Sequence, residues 1–352
     1  MIRVNAPARI CLFGDHQDYL GLPVIAASIN RYLTLEAVRH NEKAFVFELN
    51  DLRQTRQLPL SIKAADVEVG DFLASSLVVL ARKGILPDRG YRISIQSNIP
   101  VNAGISSSSA LIIAWMRFLI QAFGSEKIDR QQLADWANEA EVEFFGDPGG
   151  LMDHYSIALE DLRVIYPSSK TTALLSRPDD LPLILVESGI AKQTVGVLSL
   201  AKKHALEALE HVQQVAPELN YHNAQFEDIK RFESFLTPEL FVYWEAAIAN
   251  HHITQAALKL MQSSNTPISR PEVAALIAQH QHFLETAIQN TPEAMKAQMQ
   301  VALKAGGEAV KVIGSGGGGC FFVVSSEEVQ PQIIKKLLDA GAAAAYPIHF
   351  TP

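Results

Sequence analysis

Residues 100–120 have the sequence PVNAGISSSSALIIAWMRFLI, in which four serines follow a glycine and lead directly into an apolar run. Residues 91–99 alternate as a strand should, and the apolar run predicts a helix over about 108–123. The first turn of a helix leaves backbone N–H groups unpaired and, together with the helix dipole, favours anions. The serine run therefore predicts a phosphate-binding loop. The alternative is an ordinary helix N-cap, for which one serine would suffice.

The loop has a design of its own. The residues directly after Gly104 contain neither Gly-Lys-Ser/Thr nor G-x-G-x-x-G, so they form neither a Walker P-loop nor a dinucleotide-binding fingerprint. Serine hydroxyls are also suitable ligands for a hard cation such as Mg²⁺. A nucleotide is expected to bind here through another kind of loop.

The length of 352 residues predicts two domains or one large α/β unit, and the composition, with 48% hydrophobic residues and a net charge of −8, is ordinary for a globular protein. Lysine and arginine form no basic stripe, so nucleic acid is not an expected partner. The longest apolar run, 110–120, is too short to span a bilayer, and residues 1–10 lack the apolar region of a signal peptide. Two distant cysteines, Cys11 and Cys320, predict buried reduced thiols and a cytoplasmic location.

The order of predicted elements divides the chain into a mixed sheet half and a helical half. Helical patterns dominate 192–305, and a last helix over 327–340 precedes a terminal strand. The boundary is placed within 167–181, which gives an N-terminal domain of 1–175 and a C-terminal domain of 176–352. The first half is predicted to contain strands over 2–13 (broken at Pro7), 24–29, 32–38, 44–49 and 91–99, with helices over 71–83, 108–123 and 130–145.

A polar loop, GDHQDYLG at residues 14–21, lies between two predicted strands. It contains Asp15, His16, Asp18 and Tyr19. Aspartate and histidine side chains can pair with the vicinal hydroxyls of a sugar. A sugar site is one interpretation of this loop, and an exposed polar turn is the other.

A glycine loop, GSGGGGC at residues 314–320, lies between two predicted strands. Glycines weaken strands unless the backbone must bend or approach another group closely. Close approach to a ligand is favoured here over a tight hairpin.

Residues 147–155, DPGGLMDHY, place Asp153 just after a Gly/Pro turn. Glu139, Glu141 and Glu143 lie upstream on a predicted helix. Because alternate residues do not share one helix face, at most one or two of these glutamates are expected to point inward.

Histidines also occur in pairs, as His251-His252 and as His280 with His282. Neither pair has acidic or cysteine companions at ligand spacing. Exposed helix histidines are therefore expected here rather than metal ligands.

Together these stretches resemble the GHMP kinase family, which includes galactokinase, homoserine kinase and mevalonate kinase. The motifs are PARICLFGDHQDYLG at 7–21, PVNAGISSSSA at 100–110 and KVIGSGGGGCFFVV at 311–324, and the resemblance covers essentially the whole chain. It implies an α+β fold of two domains with the active site in the cleft between them. The N-terminal domain would be mixed α/β and ribosomal-protein-like, and the C-terminal domain ferredoxin-like. The first motif and GGLMDH at 149–154 are most similar to those of the galactokinases.

The resemblance implies an ATP- and Mg²⁺-dependent kinase for a sugar hydroxyl. Asp153 would be the general base and Arg9 would hold it ionised and stabilise the transferring phosphoryl group. Ser108 and Glu141 would ligate Mg²⁺. The sugar would be held by Asp15, His16, Asp18, Tyr19 and the backbone of Gly150. The ATP phosphates would be held by Gly104, Ile105, Ser106, Ser107, Ser108, Ser109, Gly316, Gly317 and Gly318.

Several residues depart from the galactokinase pattern. Asp15 stands in place of a glutamate, His154 in place of a glutamine and Gly149 in place of a cysteine, and Asp147 is an added acid. Residues 187–199, ESGIAKQTVGVLS, are more similar to mevalonate kinases. Galactose or a related monosaccharide is thus the expected acceptor, phosphorylated at its anomeric hydroxyl. A mevalonate-like alcohol, a sugar acid, a heptose phosphate and a non-catalytic sugar sensor are the alternatives.

Overall fold

The computed structural model describes residues 1–49, 54–101, 103–178, 180–192, 194–262 and 267–351. These residues form a seven-stranded sheet from the first half of the chain and a four-stranded sheet from the second half. The first sheet comprises β1 Ile2–Phe13, β2 Val24–His40, β3 Ala44–Leu49, β4 Gln54–Pro59, β5 Gly90–Ser97, β6 Leu162–Tyr166 and β7 Thr171–Leu174. Its helices are α1 Phe72–Arg82, α2 Ser107–Phe123, α3 Arg130–Asn138 and α4 Met152–Leu159.

The first sheet has the order β4-β3-β5-β2-β6-β7, with β1 also paired to β2. Its pairs are antiparallel except for β3 and β5, which are parallel. β2 is one strand of 17 residues where the sequence predicted two, because it serves β1, β5 and β6 in succession. β1 continues through Pro7 instead of breaking there. The missing N–H is accommodated by a register shift between Pro7 and Ala8.

The second sheet is antiparallel, with the order β11-β8-β10-β9. Its strands are β8 Leu183–Glu187, β9 Ala309–Val312, β10 Cys320–Val324 and β11 Ala344–Ile348. The helices of this half are α5 Thr194–Gln213, α6 Phe226–Arg231, α7 Pro238–Gln262, α8 Arg270–Thr286, α9 Glu293–Lys304 and α10 Gln330–Asp339.

The main hydrophobic core holds α2 against β1 and β2 and continues into the second half. Trp115 of α2 lies edge-on to Phe45 and Phe47, with ring centroids 4.9 and 5.1 Å away. Leu185 of β8 and Phe322 of β10 belong to the same buried cluster. The two sheets therefore share one core. The division into domains at residue 175 stays a prediction.

Several elements were not predicted from the sequence. β4, β6 and β7 were missed, and β7 lies almost entirely exposed, so it lacks the apolar alternation of a half-buried strand. The sequence predicted a Gly/Pro turn just before Asp153 and no helix after it, but Asp153 lies in the first turn of α4. The helix predicted over 130–145 ends as α3 at Asn138 and continues as one π-helical turn, Glu139–Glu143. None of the described helices is long and apolar enough to cross a membrane.

The two thiols are free and buried, as the sequence predicted. Cys11 lies in β1 and Cys320 begins β10. Burial raises the pKa of both thiols, which keeps them in the unreactive protonated form.

Candidate active site

A cavity of about 530 Å³ lies where the predicted motifs meet. β1 contributes Arg9 to it, α2 and α4 contribute their N-terminal turns, and the glycine loop contributes its first residues. Most of the predicted site residues line it, namely Arg9, Asp15, His16, Asp18, Gly104, Ser106, Ser107, Ser108, Ser109, Glu141, Gly150 and Asp153.

The centre of the cavity is an ion pair between Arg9 and Asp153. Arg9 is 3% exposed on β1, and its Nε and Nη2 each lie 2.7 Å from Asp153 Oδ1. Its Nη1 donates to the Gly104 carbonyl at 2.7 Å. One guanidinium thus joins the carboxylate on α4 to the loop before α2. This geometry agrees with the adjacency that the family resemblance implied for the pair.

The protonation state of Asp153 follows from this pairing. Burial is the largest single influence and favours the neutral carboxyl, but the positive charge of Arg9, the Ser106 hydroxyl and His154 together outweigh it. The pKa of Asp153 therefore lies below its usual value. Asp153 is an ionised carboxylate at neutral pH and can accept a proton.

The serine loop has the geometry of an anion site and lacks that of a side-chain cap. α2 begins at Ser107, and Ser106 precedes it in the left-handed region with φ 63°, without a side-chain bond to the helix. A non-glycine residue in this conformation is strained by about 1–2 kcal/mol. The N-cap alternative is therefore not what the structure contains. The first turn of α2, whose N–H groups have no partner within the helix, lies at the edge of the cavity.

Gly104 is required by the close approach of two loops. Its φ is +87°, and a Cβ there would lie 2.8 Å from the Ile313 carbonyl oxygen. Ala103 and Cys320 are joined across the same contact, where the Cys320 N–H donates to the Ala103 carbonyl at 2.7 Å. The serine loop is thereby fixed to the strand ends of the second sheet. Ile105 is buried beneath it and does not line the cavity.

The polar loop after β1 divides into residues that face the cavity and residues that anchor the loop. Asp15 is 1% exposed, receives a hydrogen bond from Gly314 N at 2.8 Å and forms a buried ion pair with Lys311. His16 lies 3.1 Å from both Tyr19 Oη and the Ser315 carbonyl oxygen. Asp15 and His16 thus attach this loop to the glycine loop. Tyr19 lies outside the lining of the cavity.

Asp18 packs on the backbone of Gly150. A Cβ at Gly150 would lie 2.0 Å from Asp18 Oδ2, so only glycine leaves room for this carboxylate. Burial and the negative charge of Asp153 raise the pKa of Asp18 to about 6, against hydrogen bonds from the Tyr19 and Met152 N–H groups. Asp18 is thus a carboxylate of the cavity whose pKa is raised, whereas that of Asp153 is lowered.

The glycines at the end of the glycine loop contact protein and not the cavity. Gly317 N donates to the Asn290 carbonyl at 2.6 Å, and a Cβ at Gly316 would lie 2.5 Å from the same oxygen. A Cβ at Gly318 would lie 2.5 Å from the Ala191 carbonyl oxygen. These glycines do allow a close approach, as the sequence predicted, but the groups they approach are backbone carbonyls of the protein. The role of residues 316–318 toward ATP stays a prediction.

Of the three glutamates at the α3 end, Glu141 faces the cavity. It is 9% exposed, and its Oε2 lies 2.7 Å from His154 Nε2. Glu139 instead pairs with Lys83 at 3.0 Å. Ser108 and Glu141 line the same cavity with hydroxyl and carboxylate oxygens, the ligand types that Mg²⁺ prefers. These residues fit a Mg²⁺ held mainly by phosphates and a few protein oxygens.

The expectation that the paired histidines are exposed is wrong for His280 and His251. His280 on α8 is fully buried, and its Nε2 accepts from Gly14 N at 3.2 Å. Burial, together with the charge of Lys311, lowers its pKa to about 3. His251 is 6% exposed on α7. Among the described residues, no group of three or more His, Cys, Asp or Glu side chains could hold a metal ion.

Two lysines at the site escaped the sequence analysis. Lys311, fully buried, neutralises Asp15 and also reaches the carbonyls of Cys11 and Val312 at 3.1 Å. Lys192 lines the cavity. The signals were a lysine inside an otherwise apolar strand, AVKV, and a lysine soon after the buried strand β8.

The fold and the site define a class of α+β protein in which a helix N-terminus and a buried arginine–carboxylate pair line the same cavity. Three family profiles match this chain: GHMP kinases N terminal domain over 72–161, GHMP kinases C terminal over 255–343, and the galactokinase galactose-binding signature over 2–39. Together they cover more than half of the chain. The chain belongs to the GHMP kinase family, in agreement with the resemblance found in its motifs.

Two curated relatives and one solved structure illustrate the similarity. Galactokinase from Thermococcus kodakarensis is 28% identical over 218 residues, covering 58% of this chain and 59% of the relative. Mevalonate kinase from Pyrococcus furiosus is 23% identical over 347 residues, covering 96% of this chain and 92% of the relative. Lactococcus lactis galactokinase complexed with galactose superposes with a TM-score of 0.85 at 18% identity, covering 99% of this chain and 92% of that chain. The aligned segment spans less than two thirds of the Thermococcus enzyme. The structural match establishes the two-domain fold.

Proposed function

We propose that the chain is an ATP-dependent sugar kinase that transfers the γ-phosphoryl group of ATP to galactose or a closely related monosaccharide. The anomeric hydroxyl is the proposed acceptor. The observation that carries this proposal is the Arg9–Asp153 pair, which lies in one cavity with the serine loop of α2. The galactose-binding signature over residues 2–39 includes the polar loop and supports a sugar as acceptor.

Asp153 supplies the base in the proposed reaction. Its carboxylate, ionised at neutral pH, takes the proton of the attacking hydroxyl, a step that a positioned base accelerates by roughly 10²–10⁴. Arg9 keeps that carboxylate charged and in place through two contacts of 2.7 Å. Positioning and charge neutralisation are what phosphoryl transfer requires of a protein.

The other cavity groups bind and orient the two substrates. The first-turn N–H groups of α2, with the hydroxyls of Ser107 and Ser108, would hold the phosphate chain. Asp18, packed on Gly150, would accept hydrogen bonds from sugar hydroxyls. Ser108 and Glu141 would hold Mg²⁺, which when bound neutralises charge on the phosphates. A cytoplasmic location, consistent with the two free buried thiols, belongs to the same proposal.

The second candidate is a kinase of a mevalonate-like alcohol. It is favoured by the mevalonate kinase relative, which aligns with 96% of this chain, and by residues 187–199. Against it stand the galactose-binding signature and Asp18, a carboxylate that an anionic acceptor would have to approach.

An acceptor screen tests the proposal. Wild-type protein with MgATP would be assayed by coupled ADP release against galactose, other hexoses, uronic acids, heptose phosphates and mevalonate. The expected result is ADP release with galactose or a related neutral sugar, with ³¹P NMR placing the phosphate on the anomeric oxygen. Release with mevalonate and none with sugars would replace the proposal with the second candidate.

A further inference from the structure

Lys192 is a charged residue of the cavity to which the proposed function so far gives no role. It lies five residues after the end of β8 and two before the start of α5. Its side chain is half-buried and lines the cavity together with Arg9 and Asp153. A lysine in this position brings a second full positive charge to the site.

The ammonium of Lys192 has no direct protein partner in the described part of the chain. No carboxylate or carbonyl oxygen there lies within hydrogen-bond distance of its Nζ. Burial and the nearby positive charge of Arg9 lower its pKa to about 8. A half-buried ammonium beside another cation is unfavourable until an anion accompanies it. The site is therefore built to receive a negatively charged ligand group.

The ammonium of Lys192 lies beside the serine loop and near the Arg9–Asp153 pair. Its Nζ lies 3.4 Å from where a Cβ on Gly104 would stand, next to the first residue of the serine loop. Arg9 already directs three N–H donors at Asp153 and Gly104. Two lysine or arginine side chains, Arg9 and Lys192, are found among the described residues that line the cavity. Of these two, Lys192 donates no hydrogen bond to the described protein.

We infer that Lys192 is a catalytic residue that binds a γ-phosphoryl oxygen of ATP during transfer. In this step the acceptor oxygen bonds to the γ-phosphorus, the bond to the β–γ bridging oxygen breaks, and ADP leaves. The acceptor proton passes to Asp153. Charge spreads over the equatorial oxygens of the transferring group, and a lysine neutralises such charge as a point cation. The inference rests on the proposed kinase function.

Nucleotide binding separates this role from the alternatives. Binding of Mg-AMPPNP, a non-hydrolysable ATP analogue, and of MgADP would be measured by calorimetry without acceptor. Lys192→Met is expected to weaken Mg-AMPPNP by about tenfold or more while changing MgADP little, because only the former carries a γ-phosphoryl group. Lys203→Met, an exposed lysine on α5, is the matched control and should match wild type in both.

Turnover gives a second readout. Lys192→Met should lower kcat/KM by about 10²- to 10³-fold, which is the typical effect of removing one hydrogen-bond donor that stabilises charge in a transition state. Lys192→Arg should retain most of the wild-type kcat/KM. The wild-type rate should fall as pH rises through about 8, where Lys192 loses its proton. The Lys192→Arg variant should lack that alkaline limb. The groups that face Lys192 are Arg9 on β1, Asp15 after β1, Asp153 on α4 and Cys320 on β10.

The remaining outcomes each overturn the inference. An equal loss of affinity for Mg-AMPPNP and MgADP would show that Lys192 contacts the α- or β-phosphate. A change confined to the acceptor KM would assign Lys192 to an anionic group of the acceptor. Unchanged Mg-AMPPNP binding in Lys192→Met would remove the inference and leave the kinase function standing. Failure of the wild type to bind Mg-AMPPNP would remove both.

Discussion

Replacement of Arg9 by methionine should reduce stability and activity together. Arg9 is 3% exposed and makes two contacts of 2.7 Å to Asp153 and one of 2.7 Å to the Gly104 carbonyl. Methionine fills similar space but donates no hydrogen bond. The variant would leave a largely buried carboxylate and a loop carbonyl without their partner.

The loss of stability follows from the burial of the pair. Removing one partner of a buried ion pair destabilises a protein by about 3–5 kcal/mol. The Asp153 side chain keeps 32% exposure toward the cavity, so the lower end, about 3 kcal/mol, applies. With an unfolding entropy of about 2.1 cal/mol/K per residue, 352 residues give a fall in Tm of about 4 °C.

The pH profile reports the second effect of Arg9→Met. In the wild type the charge of Arg9 holds the pKa of Asp153 below its usual value, so the base stays ionised down to low pH. Without Arg9, burial dominates and raises that pKa. The acid limb of the rate profile should therefore move to higher pH in the variant.

The assays are thermal and denaturant unfolding, and ADP release with the acceptor between pH 4 and 9. Arg9→Lys should keep part of the stability, because lysine keeps the positive charge but lacks the planar guanidinium that reaches Asp153 and the Gly104 carbonyl together. Arg3→Met, an exposed residue on the same strand, is the control and should change stability by less than about 0.5 kcal/mol. An Arg9→Met variant with wild-type stability and an unmoved acid limb would refute the reasoning.

Three further outcomes are expected. Lys311→Met should lower the free energy of unfolding by about 3–5 kcal/mol, because it leaves the fully buried carboxylate of Asp15 without its ion-pair partner. Lys335→Met, which removes an exposed ion pair, is the control and should change the free energy of unfolding by less than about 0.5 kcal/mol; denaturant titration measures both. Gly150→Ala should raise the acceptor KM by about tenfold or more, because the added Cβ would displace Asp18. Gly196→Ala, whose added Cβ would meet nothing within 4 Å, is the control and should leave the acceptor KM unchanged in steady-state kinetics. The wild-type KM for the acceptor should rise as pH falls through about 6, because the Asp18 carboxylate is then protonated and accepts fewer hydrogen bonds from the acceptor hydroxyls. The Asp18→Asn variant should have a higher acceptor KM that does not change over this pH range.

The parts of the site that could be predicted from sequence are those that short motifs encode. The apolar run predicted the helix that follows the serine loop, and α2 begins at Ser107 as expected; the phosphate-binding role of that loop stays a prediction. Arg9 and Asp153 are 144 residues apart, and only the resemblance to a known family connected them. Their ion pair depends on how β1 and α4 pack, which no local pattern contains.

What the sequence analysis missed depends on tertiary contacts. The expectation that Asp15 holds substrate stays a prediction, but its ion pair with Lys311, which lies 296 residues away in the second sheet, could not be predicted from the sequence. His280 was expected at the surface, yet it lies buried against the start of the polar loop. β7 lies within 167–181, where the sequence predicted the domain boundary, and it was missed because an exposed edge strand has no apolar face. In each case the partner that decides the environment is distant in sequence.

The most direct test of the central claim compares wild type and Asp153→Asn in ADP release with MgATP and galactose. Asparagine keeps the shape of the side chain but cannot accept a proton from the acceptor hydroxyl. The account predicts galactose-dependent ADP release by the wild type, a loss of about 10²- to 10⁴-fold in kcat for Asp153→Asn, and unchanged Mg-AMPPNP binding. An Asp153→Asn variant that retains most of the wild-type rate would contradict the assignment of the base.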